Sequence, residues 1–139
     1  MKNNDIREFA RKMKGKKLTI LGHENIDVDA FLSGVLLSRL FDFLKIDNEF
    51  IVLEEVAEGN ETYDIVKKLF NIDMKDWERT GEDAERLLFL EDHFETVHAG
   101  KVVGCIDHHP TSKNVSFDYE KRRNSSASSF LIYELMLEV

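Results

Sequence analysis

Apolar positions along this chain switch repeatedly between a helical and a strand-like spacing. Ile6, Phe9, Ala10 and Met13 recur at helical intervals in an otherwise polar stretch, which predicts a short amphipathic helix over residues 3–14. Its basic face, within a segment spanning residues 1–16 that belongs to the same domain, reads as solvated. Residues 17–22 (Lys-Leu-Thr-Ile-Leu-Gly) form a short β-branched, apolar run closed by glycine, a buried strand. Residues 29–44 return to helical spacing through Phe31, Leu32, Val35, Leu36, Leu40 and Phe43. A strand over 49–53, a turn at Gly59 and Asn60 and a helix over 61–70 repeat the unit. Residues 75–85 are consistent with a short helix or a loop. Two further continuous apolar strands are expected over 86–91 and 101–106, a small edge strand over 115–117, and a closing helix over 125–137 with serines at its start to cap the unsatisfied N–H groups.

Strands alternating with helices predict a single α/β domain over residues 1–139, an open, mostly parallel Rossmann-like sheet with helices on both faces. In such sheets ligands sit beyond the carboxyl ends of the strands.

Composition narrows the class. The 139 residues are 42% hydrophobic with ten phenylalanines, enough for one real core, and a single proline with seven glycines excludes linker-rich disorder. No apolar run reaches the roughly 18 residues of a membrane span, and the first 17 residues are too polar for a signal peptide. The chain is therefore expected in the cytoplasm, where a lone Cys105 without an internal disulfide is at home. Charge is uneven: the first 17 residues carry seven basic and two acidic side chains, while the whole chain carries −8. An acidic body argues against nucleic acid as a target, since phosphate binding normally needs a basic stripe. Divalent cations are the exception.

That exception matters because three expected strands run straight into residue types that bind metals. The first leads to His23, Asp27 and Asp29, the third to Asp92 and His93, and the fourth to Asp107, His108 and His109. Carboxylates gathered at adjacent strand ends would repel one another unless cations lay between them. A mixed imidazole and carboxylate set suits Mn²⁺, Co²⁺, Fe²⁺ or Zn²⁺ better than Mg²⁺ or Ca²⁺. Two such ions can polarise a phosphoryl oxygen and activate water, which points to hydrolysis of a phosphate ester or anhydride. Taken singly, Asp29 reads equally as the cap of the following helix and Asp107 as a turn former. Cys105 lies inside a strand and reads as a small core residue, and His98 as an exposed loop residue.

Gly22-His23-Glu24-Asn25-Ile26-Asp27-Val28-Asp29, Glu91-Asp92-His93-Phe94-Glu95, Asp107-His108-His109 and the serine-rich stretch 125–129 resemble, in order and spacing, the motifs of the DHH phosphoesterase superfamily. Within it they look most like the N-terminal domain of the manganese-dependent, family II inorganic pyrophosphatases. Ile26 stands where the family usually has proline, and Phe94 where the pyrophosphatases have asparagine. The resemblance implies that His23 and Asp27 bind one metal ion, Asp29 and His108 the second, and Asp92 both. Mn²⁺ is the expected metal, with Co²⁺ as a substitute and Mg²⁺ accompanying the substrate. His109 would face the phosphate as a hydrogen-bond donor or acid, and Asp107 and His93 would orient the ligands through hydrogen bonds.

The family continues into a strand bearing one more metal-binding aspartate and into a second domain whose cations close over the substrate. This chain stops at Val139, so weak or no activity is expected of it alone, with Lys113, Lys121, Arg122 and Arg123 as the only nearby cations. Those four read foremost as parts of an exposed loop and helix approach. The partner implied is a phosphate-containing small molecule, with a homodimer or a complementing chain completing the site. Two other readings stay open: a non-catalytic metal-binding domain or subunit, and a phosphodiesterase acting on oligonucleotides or cyclic dinucleotides.

Overall fold

The computed structural model describes residues 5–22, 26–53, 59–79, 86–91, 101–107, 118–122 and 127–139. In chain order the elements are α1 (Ile6–Lys12), β1 (Lys17–Leu21), α2 (Val28–Phe43), β2 (Asp47–Ile51), α3 (Glu61–Phe70), a 3-10 turn (Met74–Trp77), β3 (Leu87–Glu91), β4 (Lys101–Asp107), β5 (Tyr119–Arg122) and α4 (Ser128–Leu137). The strands form one sheet in the order β2-β1-β3-β4-β5, and every pairing is parallel. This is the open α/β sheet that the alternation predicts, sharpened from mostly to wholly parallel.

Both faces of the sheet bury apolar side chains, which is why its strands read as continuous hydrophobic runs. Leu18, Ile20, Phe50, Phe89 and Tyr119 join the larger core, with Ile6 and Phe9 of α1, Phe31, Leu37 and Phe41 of α2, Tyr63 and Val66 of α3, and Leu131, Ile132 and Leu135 of α4. Leu21, Ile51, Leu88, Leu90 and Cys105 form the second cluster. Cys105 is fully buried there, a core residue as its position in a strand predicts. A β-bulge in β4 sets two residues, Val103 and Gly104, opposite Phe89, because Leu88 pairs with Val102 but Phe89 with Gly104. The extra residue reverses the in-out alternation, so Val102 and Cys105 share one face and Val103 and Ile106 the other.

Aromatic rings tie α1 to this sheet. Phe9 packs edge-on to Phe89 at 5.7 Å between ring centres and beside Tyr119 at 5.6 Å, while Phe41 meets Phe89 edge-on at 5.1 Å. Two glycines allow the closest approaches. A Cβ on Gly34 would overlap the Phe50 ring, and one on Gly104 the Phe89 ring.

Several boundaries differ from the pattern. β2 starts two residues earlier than expected, and Val52 instead pairs beside Glu78, its N–H donating to the Trp77 carbonyl and its carbonyl accepting from Arg79 N–H. The described part of 75–85 is thus a 3-10 turn followed by an extended segment laid along the sheet edge. Residues 121 and 122 are not an exposed loop but the end of β5. Lys121 is largely buried and its Nζ lies 3.6 Å from a Glu138 carboxylate oxygen. The edge strand expected over 115–117 lies outside the described residues.

Candidate metal centre

The strand order 2-1-3-4-5 reverses direction between β1 and β3, and doubly wound sheets bind ligands in the crevice at that switch point. β1, β3 and β4 lie side by side there, with Leu21 beside Leu90 and Glu91 beside Ile106. At the usual strand spacing their carboxyl ends fall within about 10 Å. These are the three strands that precede the motifs in sequence.

After β1 the chain passes Gly22 and the buried Ile26 before entering α2. Asp27 holds the N-cap position in extended conformation, and its Oδ1 accepts the Ala30 N–H at 2.8 Å. One of the unsatisfied donors of the first turn is thereby paired. Asp27 is exposed, six residues past the end of β1.

Asp29 sits in the first turn of α2 but serves another helix. Its Oδ2 accepts Ser128 N–H at 3.0 Å, and its Oδ1 accepts Ser129 N–H at 3.1 Å and the Ser129 hydroxyl at 2.6 Å. The expected serine caps of the last helix are therefore corrected. α4 begins at Ser128, and its N-cap is Ala127, which has no side-chain acceptor. A carboxylate from across the fold replaces the local hydroxyl because it is the stronger acceptor and its charge complements the positive helix end. The cap of the following helix is Asp27, not Asp29.

Asp107 is the last residue of β4 and pairs in register with Arg122 of β5 at the same edge of the sheet. His23, Asp92, His93, His108 and His109 lie outside the described residues, as do Lys113, Arg123 and His98. Among the described residues no group of three or more His, Cys, Asp or Glu side chains converges as a metal site. The two described ligand candidates nonetheless suit a divalent ion. Both are anionic oxygen donors, both stand just past the end of β1, and Asp29 is fixed by hydrogen bonds of the kind that orient ligating carboxylates. The link from Asp29 to Ser128 and Ser129 spans about a hundred positions. Its only sequence signal is the serine cluster itself.

The fold is an open, wholly parallel α/β sheet, a class whose ligands sit beyond the carboxyl ends of the strands. Residues 17–138 match the model of the DHH family, N-terminal domain, and the chain belongs to that family, a superfamily of phosphoesterase type. A search of curated proteins finds no match to the chain. The helix α1 precedes the matched residues. Among the described residues no helix is long and apolar enough to cross a membrane.

Proposed function

We propose that this domain is a metal-dependent phosphohydrolase, pyrophosphatase-like, acting on a phosphoanhydride or phosphoester of a small molecule. The observation that carries the proposal is the sheet order. It sets the ends of β1, β3 and β4 together, with Asp27 and Asp29 at the start of α2, in a chain whose family is of phosphoesterase type.

In this reading His23, Asp27, Asp29, Asp92 and His108 hold two divalent ions, Mn²⁺ foremost. When bound, such ions supply Lewis acidity and a nucleophilic water at neutral pH. The chain's own part is positional and electrostatic. Asp27 and Asp29 are held at fixed places by the helix N–H groups they accept, so little reorganisation is needed when a cation arrives. The amino terminus of the 16-residue α2 turns its positive end toward the same edge, which favours a phosphate there. His109 donates a hydrogen bond or proton to the phosphate, and Asp107 and His93 orient the ligands.

Calorimetric titration with Mn²⁺ tests the ligand set. Saturable binding is expected, lost or weakened at least tenfold in Asp27→Ala, and identical titrations of the two proteins would refute it. Phosphate release from pyrophosphate, compared with cleavage of a dinucleotide under the same metal, tests the substrate class. Faster cleavage of the dinucleotide would replace the pyrophosphatase-like reading with a phosphodiesterase one.

A further inference from the structure

At the opposite edge of the sheet from the carboxyl ends of the strands, α1 and the end of α2 border a groove of about 510 Å³. Its place follows from the topology. Lys14 lies just before β1 and Lys45 just before β2, and these neighbouring parallel strands start together, Lys17 beside Asp47. Five-residue strands put this edge some 15 Å or more from the carboxyl ends. One wall of the groove is α1, which precedes the family-matched residues, and the proposal below is independent of the function proposed above.

Four cations line it, Arg7 and Arg11 from α1, Lys14 from the turn after α1 and Lys45 from beyond α2, around an apolar wall of Ala10, Phe43 and Leu44. Among the described residues no acidic side chain lines it. Among the described residues no carboxylate pairs with any of the four, whereas Lys17 and Arg86 share Glu49 and Lys121 has Glu138. Phe43 is 69% exposed, an aromatic ring presented to solvent at the mouth. Lys45 is also conformationally unusual. With φ at 61° it occupies the left-handed position after the helix, where Lys45 N–H donates to Asp42 O and Ile46 N–H to Phe41 O. Glycine is the residue that fits this position without strain, yet the chain keeps a cation there.

We propose that this groove binds a small, multiply phosphorylated ligand of the nucleoside polyphosphate class, its phosphates on Arg7, Arg11, Lys14 and Lys45 and its base against Phe43. Unpaired like charges converging on a concavity attract a polyanion, and the volume matches a small-molecule site. A long nucleic acid would extend past the groove over a chain that is net acidic in spite of this basic corner, whereas a nucleotide stays within it. The exposed ring gives the base a stacking face.

The test is titration with ATP, tripolyphosphate and a single-stranded oligonucleotide, in EDTA at low salt so that no divalent ion is available to the strand-end site. ATP is expected to bind about tenfold more tightly than tripolyphosphate, and Phe43→Ala to bring ATP down to the tripolyphosphate level without changing the latter. Arg11→Glu should weaken both at least tenfold. Lys45→Gly should weaken both several-fold while leaving the urea midpoint unchanged or raised, because glycine relieves the left-handed backbone; this separates lost binding from lost folding. Asp27→Ala should leave ATP affinity unchanged. No ATP binding, binding insensitive to Arg11→Glu and Lys45→Gly, loss of binding in Asp27→Ala, or tighter binding of the oligonucleotide than of ATP would each overturn the proposal.

Discussion

Removing the Asp29 carboxylate should destabilise the fold through a helix to which Asp29 does not belong. In Asp29→Ala the amino terminus of α4 loses three hydrogen bonds, and Ala127 offers no side chain in their place. A lost N-cap costs about 1 kcal/mol. Here the acceptor is charged and takes several bonds, and hydrogen bonds to charged groups contribute roughly 1.5 to 3 kcal/mol each. The helix end adds up to about 2 kcal/mol for a favourably placed charge. These contributions share one carboxylate and do not sum, so about 2 to 4 kcal/mol is expected for Asp29→Ala. Asp29→Asn keeps one oxygen acceptor but loses the charge, about 1 to 2 kcal/mol, and Ser129→Ala loses the hydroxyl bond alone, about 1.5 kcal/mol. Urea unfolding in EDTA reads this series. Trp77, the only tryptophan, packs edge-on to Phe31 of α2 at 5.4 Å and reports the core by fluorescence, while far-ultraviolet dichroism reports the helices. With a urea slope of about 2 kcal/mol/M the midpoint should fall by roughly 1 to 2 M in Asp29→Ala. A midpoint within about 0.3 M of the parent would refute the assigned role, as would Asn performing worse than Ala.

Other outcomes follow from the core and the described sites. Gly34→Ala and Gly104→Ala should each cost about 1 to 3 kcal/mol, because the added methyl meets the Phe50 and Phe89 rings; Gly34→Ala combined with Phe50→Leu should cost less than the sum of the two single changes in the same urea assay. Burial holds the Tyr119 phenol well above its usual range, with the Glu138 and Asp5 carboxylates adding to the effect. The folded state therefore keeps this proton after the unfolded chain has released it, so the stabilising term is intact below about pH 10 and is lost above it, at about 1.4 kcal/mol per pH unit. Tyr119→Phe should flatten that alkaline slope, and an unchanged slope would show that other groups govern it. Mn²⁺ should raise the urea midpoint of the parent protein and do so less for Asp27→Ala; equal shifts would count against Asp27 as a ligand.

What was legible in the sequence is what local periodicity controls. The spacing of Phe31, Leu32, Val35, Leu36 and Leu40 locates α2, and the apolar runs after Lys17, Arg86 and Lys101 locate three central strands, because each pattern is set by burial of one stripe or of both sheet faces. The errors fall where a local pattern was outvoted by tertiary partners. Lys121 and Arg122 look like a solvated basic run, yet they finish β5, since Tyr119 buries its ring against Phe9 and Phe89 and the strand completes the pairing with Gly104 to Asp107. The bulge at Val103 and Gly104 left no signal beyond a glycine inside a strand.

The site shows the same division on a smaller scale. That the ends of β1, β3 and β4 would lie along one edge was legible, because the alternation of strands and helices predicts a parallel sheet. The division of labour between Asp27 and Asp29 was not. Both are acids at the start of one helix, and either satisfies the local capping rule. Only the tertiary position of α4 assigns Asp27 to its own helix and Asp29 to the helix about a hundred residues away. A consequence is that the candidate ligand set and the packing of α4 share a side chain. Substituting Asp29 perturbs both at once, whereas Asp27 is exposed and caps the helix it precedes, at a cost of about 1 kcal/mol when removed. Loss of activity in an Asp29 variant is therefore interpretable only beside its unfolding curve, and the same loss in an Asp27 variant that remains folded speaks to the metal centre itself.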